Sequence, residues 1–227
     1  FVAVLAPVLG TISDITGRRR PFLVYLTLLS IIFTMLLGIH KNIFLGLFFF
    51  AIANFGCQAA VVFYNAQMVN IAPIDKIGLV SGFGRMLGYS GAILALYFIK
   101  PIVLKSGYQA TFLPTGILFL IFALPCMVFL KDNPSQGKIS LIYFLKKSSL
   151  IEIFKNIKAT AFDAYRFPGL LDFLKASFFG LCAVNVIILF MSVYATRVFG
   201  LSETAIINLI AFATIFAMAG SMFSGFI

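Results

Sequence analysis

The chain has 227 residues, of which 62% are hydrophobic and only 11% are charged, and its formal net charge is +10. This composition excludes a water-soluble fold, because the charges fall in clusters and leave long uncharged runs that have no polar stripe. A nucleic-acid-binding role is also disfavoured, since the basic residues lie at the edges of the apolar runs and form no basic, aromatic-interleaved domain.

The apolar runs predict an all-α, multi-pass membrane protein. Each is long enough to supply the roughly 20 residues that cross a hydrocarbon core as a helix. Only Arg85 interrupts one of them. Residues 1–9 have the character of the end of one more span, so we expect the chain to be a piece of a longer protein. In chain order the complete runs cover residues 21–39, 42–74, 77–99, 106–130, 176–196 and 204–227.

The basic residues predict the orientation, because Lys and Arg are retained on the cytoplasmic side of a membrane. If the loop at residues 10–20 is cytoplasmic, 13 of the 17 basic residues fall on that side or nearest to it. The net positive charge is therefore interpreted as a topology signal. The four basic residues on the opposite side are Lys41, Lys100, Lys105 and Arg197.

The loop at residues 10–20 carries glycines, an aspartate and arginines at defined spacings. Gly10, Asp14 and Gly17 are followed by Arg18 and Arg19, which gives the pattern G-x-x-x-D-x-x-G-R-R. The charge bias of cytoplasmic loops would explain the arginines but not the spacing of the other three residues. The pattern resembles the loop between the second and third helices of major facilitator superfamily transporters. The resemblance implies a gating loop formed by these five residues.

The same resemblance implies a fold of twelve helices in two six-helix bundles, of which this chain covers the end of helix two to helix eight. Residues 1–130 are expected to form the truncated N-terminal bundle, residues 131–175 a cytoplasmic central loop, and residues 176–227 the start of the C-terminal bundle. The central loop mixes apolar residues with lysines, which predicts a basic amphipathic helix on the lipid surface. A solvated linker is the alternative.

Several short motifs further resemble the vacuole-effluxer-like branch of the superfamily, which is associated with autophagy and amino-acid release. They include Phe63-Tyr64-Asn65-Ala66, Ile71-Ala72-Pro73 and residues 165–174. The span 176–196 departs from this branch, because Asn185 is its only strongly polar residue near the expected polar cluster. The branch implies amino-acid efflux.

Polar residues inside the spans are the candidate substrate contacts, because each costs free energy in lipid unless it faces a cavity or a partner. Three amides on the span 42–74 fall on one helical face, although interhelical hydrogen bonding would explain any of them singly. Arg85 would bind an anionic group, pair with an acid on another helix or extend to lipid phosphate. The candidate set is Asn54, Gln58, Tyr64, Asn65, Arg85 and Asn185.

Stripes of small residues on two spans predict close helix packing. In the superfamily these spans, helices five and eight, face each other between the two bundles, so the stripes are candidate interbundle contacts. Ordinary packing within one bundle is the alternative. The residues, mostly four apart, are Gly84 and Gly88 on one span and Ala213, Ala217, Ser221 and Gly225 on the other.

No catalytic, metal or cofactor motif is recognisable, which predicts a protein that is not an enzyme. Cys57, Cys126 and Cys182 stand alone in separate spans and are interpreted as packing residues, not as metal ligands or a disulfide. All seven acidic residues lie in loops or at membrane edges. The proton, which the superfamily implies as a candidate coupling ion, would therefore be carried by helices outside this chain.

The sequence as a whole predicts a secondary transporter that moves a small polar metabolite through the lipid bilayer by alternating access. Amino-acid efflux is the leading hypothesis for its substrate and direction. The expected location is a bacterial inner membrane, or a vacuolar membrane for a fungal protein. The alternative functions are a transport-inactive, transporter-like receptor or scaffold, and an intramembrane enzyme whose reactive residues all lie on helices outside this chain.

Overall fold

The computed structural model describes residues 19–130 and 165–226, together with the single positions Gly10, Lys155, Ala159 and Phe162. Within these residues the chain forms six long α-helices and no strand. All six are long and apolar enough to cross a membrane, which confirms the predicted all-α membrane fold. The helices are α1 (Arg20–Ile39), α2 (Ile43–Ile71), α3 (Ile77–Ser106), α4 (Phe112–Phe129), α5 (Leu170–Phe199) and α6 (Glu203–Phe226).

Short turns separate α1 from α2, α2 from α3, α3 from α4, and α5 from α6. The Asn42 side-chain oxygen accepts hydrogen bonds from the backbone N–H groups of Phe44 and Leu45, at 2.9 and 3.4 Å. These bonds satisfy donors that a helix leaves unpaired at its start. Gly107 after α3 and Gly200 after α5 have φ values of 79° and 62°. Glycine adopts a positive φ without a steric penalty, so each residue ends its helix and reverses the chain.

Two predicted boundaries are corrected. α5 begins at Leu170 instead of residue 176, and α3 continues to Ser106, which was expected to open the next span. The prediction ended spans at charged residues, but a helix continues past the edge of the bilayer when its charged side chains reach water. Asp172 and Lys175 illustrate this on the first turns of α5, where they form an exposed ion pair at 3.2 Å.

α1 packs between α2 and α4. Leu23 of α1 forms a buried cluster with Ala60 and Phe63 of α2. Gly56 brings the two helices unusually close, since a Cβ atom at this position would lie 2.8 Å from the carbonyl oxygen of Leu26. The packing of α2 on α1 therefore depends on a backbone approach that only glycine permits.

Two arginines show which helix ends lie together. Arg19, just before α1, donates a hydrogen bond to the carbonyl oxygen of Ala66 near the end of α2, and Arg20 donates to that of Met127 at the end of α4. The side of the molecule where α1 begins and α2 and α4 end is called the near side below. The opposite side, where α3 ends and α6 begins, is the far side.

α3 packs against α6, so a helix that precedes the central loop and one that follows it meet in space. α5 contacts α6 only weakly among the described residues. The truncated span at residues 1–9 lies outside the described residues. So does most of the central loop, of which Lys155, Ala159, Phe162 and residues 165–175 are described. The amphipathic helix and the three-part domain division therefore remain predictions.

Candidate functional site

One face of α2 carries three exposed amide side chains. Asn54, Gln58 and Asn65 are spaced four and seven residues apart, which places them on one side of a helix with about 3.6 residues per turn. Buried Ala60 and Phe63 lie on the other side, against α1. No hydrogen bond joins any of the three amides to another residue in the part of the chain that the structure describes.

Tyr64 lies at the edge of this amide face. Its side chain is 45% exposed, and a Cβ atom built at Gly84 of α3 would lie 3.7 Å from its hydroxyl oxygen. Tyr64 also lines a mostly apolar cavity of about 240 Å³ between α1, α2 and α4. The hydroxyl group therefore reaches from α2 towards α3, and Gly84 lies beside α2 at this point.

Arg85 and Asn185 differ in how far their polar groups are satisfied. Arg85 of α3 is exposed and makes no hydrogen bond or ion pair with another described residue. The Asn185 amide donates a hydrogen bond of 2.8 Å to the carbonyl oxygen of Leu181, one turn earlier on α5. The Arg85 guanidinium group is therefore available to bind a ligand. The Asn185 amide already uses one N–H group in a hydrogen bond within its own helix.

The predicted gating loop is described at its two ends only. Asp14, Gly17 and Arg18 lie outside the described residues. At Gly10 a Cβ atom would meet no described atom within 4 Å. Arg19 is anchored at the other end of the loop by its 2.6 Å hydrogen bond from Nη1 to the Ala66 carbonyl oxygen.

Arg20, which the sequence analysis did not select, is anchored in the same way to a different helix. Its Nε and Nη2 groups donate hydrogen bonds to the carbonyl oxygens of Met127 and Val128, at 3.0 and 3.5 Å. These carbonyls belong to the last turn of α4, which has no N–H groups of its own to offer them. The two adjacent arginines thus attach the loop to the near-side ends of α2 and α4.

The backbones of α3 and α6 approach each other closely near the near side. A Cβ atom at Gly82 would lie 2.5 Å from the Ser221 carbonyl oxygen, and one at Gly225 would lie 3.0 Å from the Gly78 carbonyl oxygen. Ser221 and Gly225 were both in the predicted stripe of α6. On α3 the contacting residues are Gly78 and Gly82, in place of the expected Gly84 and Gly88.

The other predicted packing residues lie away from this contact. A Cβ atom at Gly88 would meet no described atom within 4 Å. On α6, Ala213 is exposed and Ala217 is half-buried. α3 carries two stripes of glycine about 120° apart around the helix, and spacing alone does not indicate which of them meets a neighbour.

Two polar contacts join α3 and α6 near the far side, and the sequence analysis missed both. The Lys100 Nζ group donates a hydrogen bond of 2.9 Å to the Asn208 side-chain oxygen. Tyr108, after the end of α3, lies near enough to Glu203 at the start of α6 for the carboxylate charge to act on its phenol group and raise its pKa. Asn208 is polar and lies inside a span, so the rule that selected Asn54 would have selected it too.

The Tyr108 contact is reflected in the acidity of its phenol group. Partial desolvation raises the pKa of Tyr108, and the Glu203 carboxylate adds to the increase through its charge and its hydrogen bond. Both effects favour the neutral phenol over the charged phenolate. The phenol group is therefore uncharged at neutral pH.

These features define a polytopic α-helical membrane protein with an unsatisfied polar face on one helix and a close contact between its earlier and later helices. No group of three or more His, Cys, Asp or Glu side chains comes together in the residues searched, which are the described ones.

The Major Facilitator Superfamily model matches residues 1–227, and the chain belongs to this family. It is 28% identical over 222 residues to an uncharacterized protein of Aquifex aeolicus (strain VF5), an alignment that covers 97% of this chain and 52% of the relative. It is 26% identical over 240 residues to the uncharacterized MFS-type transporter YxiO of Bacillus subtilis (strain 168), covering 99% of this chain and 54% of the relative. The chain thus spans about half the length of the curated relatives it matches. No solved structure matches it significantly.

Family membership confirms the superfamily that the loop motif predicted, and with it the multi-pass membrane location. The bacterial relatives fit a bacterial cytoplasmic membrane. A family of transporters is also in line with the expectation of a non-enzymatic protein. Assignment to the vacuole-effluxer-like branch remains a prediction.

Proposed function

We propose that the full-length protein is a secondary transporter that moves a small polar metabolite across the bacterial cytoplasmic membrane by alternating access. An amino acid is the first candidate substrate, and efflux the first candidate direction, by the resemblance to the vacuole-effluxer-like branch. The transporter description of the Bacillus subtilis relative supports the general activity.

The amide face of α2 is the observation that carries this proposal. An amide group that has no hydrogen-bond partner in hydrocarbon costs free energy. We therefore expect the side chains of Asn54, Gln58 and Asn65 to face water, a ligand or another helix. Each amide both donates and accepts hydrogen bonds. This combination suits a ligand such as an amino acid, which has donors and acceptors close together.

Arg85 is proposed as the group that binds the carboxylate of the substrate. A guanidinium group offers two parallel N–H donors to a carboxylate, and Arg85 has no partner among the described residues. Tyr64 lies between the amide face and α3, where its hydroxyl group would contact the same ligand. Asn185 is a weaker contact in this scheme, because its amide already donates to Leu181.

The gating loop is proposed to act on the substrate site through α2. Arg19 attaches the end of the loop to the carbonyl oxygen of Ala66, next to Asn65 on the helix that carries the amide face. A movement of the loop would therefore be passed to the same helix. The coupling ion, with a proton as the candidate, would be bound by helices outside this chain.

Flux measurements on the full-length protein in lipid vesicles test this proposal. Labelled amino acids would be supplied with and without a pH gradient, to the wild type and to the Asn54→Ala, Gln58→Ala and Arg85→Ala variants. We expect saturable flux in the wild type and a loss of at least about tenfold in the Arg85→Ala variant, because an ionic hydrogen bond to the substrate is removed.

Ser90→Ala is the matched control, since the Ser90 hydroxyl group donates only to the Leu87 carbonyl oxygen of its own helix. Its flux should equal that of the wild type. Folded protein without flux for any amino acid would remove the amino-acid hypothesis. It would also favour the transport-inactive receptor or scaffold, which a protein partner of residues 131–175 would then identify.

A further inference from the structure

A groove of about 420 Å³ opens on the far side, between the end of α1, the start of α2 and the start of α4. Gln109 Nε2 donates a hydrogen bond of 2.9 Å to the His40 carbonyl oxygen. The His40 ring packs against Phe49 of α2, with ring centroids 5.5 Å apart. These two contacts join the segment that follows α1 to both of its neighbours, so the groove is bounded by packed parts of the fold.

The lining of the groove along α1 and α2 is apolar. Leu37 of α1 faces Ile43, Leu47 and Phe50 of α2 across it. Gly46 also lines it, and a Cβ atom there would meet only the Leu37 Cδ2 atom, at 4.0 Å, among the described atoms. The absence of a side chain at this position therefore leaves space in the groove. From residue 43 to residue 50 the lining follows α2 for about 10 Å, which is about two thirds of the depth of one leaflet.

A cation lies at the membrane edge of this apolar groove. Lys41 lines the groove in the turn between α1 and α2, is exposed, and makes no hydrogen bond or ion pair with another described residue. The sequence places few basic residues on the far side, because the charge bias disfavours them there. The site thus combines an unpaired ammonium group with an apolar channel that leads into the membrane.

We infer that this groove binds an anionic phospholipid of the far-side leaflet, with its phosphate group at Lys41 and one acyl chain along Gly46 and Phe50. An ammonium group binds a phosphate through charge-assisted hydrogen bonds, and an acyl chain gains free energy by burial against apolar side chains. A soluble phosphate would use the cation alone and leave the apolar part of the groove unfilled. The inference requires the membrane location of the chain but not the proposed transport.

Photolabelling of the full-length protein in phosphatidylcholine vesicles tests the site. The probes are phosphatidylglycerol and phosphatidylcholine that each carry a diazirine group on one acyl chain, and the labelled peptides would be mapped by mass spectrometry. The ratio of phosphatidylglycerol to phosphatidylcholine labelling removes the contribution of bulk lipid. We expect this ratio to be higher in residues 37–50 than in the other spans.

Two variants separate the charge from the shape of the groove. Lys41→Ala should lower the ratio in residues 37–50 about fivefold, which is the effect of one lysine on an anionic lipid at the membrane surface. Gly46→Leu keeps the charge and fills the groove, so it should also lower the labelling by phosphatidylglycerol. Lys105→Ala is the matched control, because Lys105 is an exposed far-side lysine that makes no hydrogen bond with another described residue and does not line the groove.

The results that would overturn the lipid site are distinct. Equal labelling by the two probes in the wild type, or an equal decrease in the Lys105→Ala control, would show that the groove does not select an anionic lipid. Full labelling in a folded Gly46→Leu variant would reduce the site to attraction at the surface. Loss of labelling in excess glycerol phosphate would identify a soluble phosphate as the occupant. The exposed Lys41→Ala variant still decides the matter if Gly46→Leu does not fold.

Discussion

Arg20 shows that a single residue can determine both topology and packing. It belongs to the basic cluster that predicts a cytoplasmic loop, and its guanidinium group also donates to the carbonyl oxygens of Met127 and Val128. The end of a helix carries a partial negative charge and unpaired carbonyl groups. A cation at this position therefore stabilises the end of α4 and fixes it to the start of α1.

Replacement of Arg20 should destabilise the folded protein. We expect Arg20→Ala to lower the free energy of unfolding by about 1–2 kcal/mol, because hydrogen bonds from a charged donor are lost. Arg20→Lys should lie between this variant and the wild type, since it keeps the charge but loses the forked geometry. Thermal unfolding of the full-length protein in detergent measures the change. Arg197→Ala, at an exposed far-side arginine, is the control, and an equal effect there would contradict the role of Arg20.

Tyr108 should ionise only at a pH above the ordinary phenol value. Its pKa is raised from about 10, so the folded state holds the phenolic proton more tightly than the unfolded state does. The contribution of the neutral phenol to stability is therefore complete below about pH 10 and is lost as the pH rises through the folded pKa.

The measurement is an absorbance titration of tyrosinate in the wild type, from which the titration of Tyr108→Phe is subtracted. In the Glu203→Gln variant the Tyr108 transition should move towards lower pH but not reach the ordinary value, because desolvation remains the larger cause. A transition below the ordinary value in the wild type would contradict this account.

At the level of whole helices, glycine position decides which faces meet. Gly78 and Gly82 of α3 face α6, while Gly84 faces Tyr64 of α2 and Gly88 faces no described atom. The two stripes look equivalent in the sequence, because both consist of glycines spaced four residues apart. Only the position of the neighbouring helices distinguishes them.

The glycines of α3 should therefore respond in opposite ways to the same substitution. Gly82→Ala places a Cβ atom 2.5 Å from the Ser221 carbonyl oxygen, so the helices must separate, and we expect a loss of about 1–3 kcal/mol. Gly88→Ala meets no described atom within 4 Å and gains helix propensity, so its stability should be equal or higher. Thermal unfolding of both variants decides this, and a more stable Gly82→Ala variant would contradict the close contact.

Across the whole molecule, successive helices run in opposite directions, and the basic residues are concentrated at the helix ends on one side. The hydrogen bonds of Arg19 to Ala66 and of Arg20 to Met127 bring the starts and ends of three helices to the near side. The charge bias predicts that this is the cytoplasmic side.

Labelling of single cysteines in intact cells tests the orientation of the full-length protein. Lys41→Cys and Ser202→Cys, on the far side, should react with a membrane-impermeant maleimide added outside. Lys76→Cys and Arg166→Cys should react only after the membrane is permeabilised. The reverse pattern, or reaction of all four positions from one side, would contradict the predicted topology.

The positions of the spans, the family and the near-side loop were all accessible from the sequence. Hydropathy located the six spans because lipid demands a continuous apolar helix, and it erred at Leu170 and Ser106, where helix extends beyond the membrane. The amide face of α2 was also predictable from the spacing of its residues. The contacts of Arg20, Lys100 and Tyr108 were not, because each joins segments that are far apart in the chain.

The sequence by itself determined that this protein crosses a membrane as α-helices, which way the helices are expected to face, and to which family it belongs. The first two properties follow from composition and charge along the chain, because lipid and water act on each segment locally, and the family follows from the motif of the loop at residues 10–20 and the family match. Only the tertiary structure decided that Gly82 and not Gly88 meets α6, and that Lys100 lies opposite Asn208. The physical reason is that lipid and protein surroundings are equally apolar, so the hydrophobic pattern of a membrane helix does not indicate which of its faces packs against a neighbour.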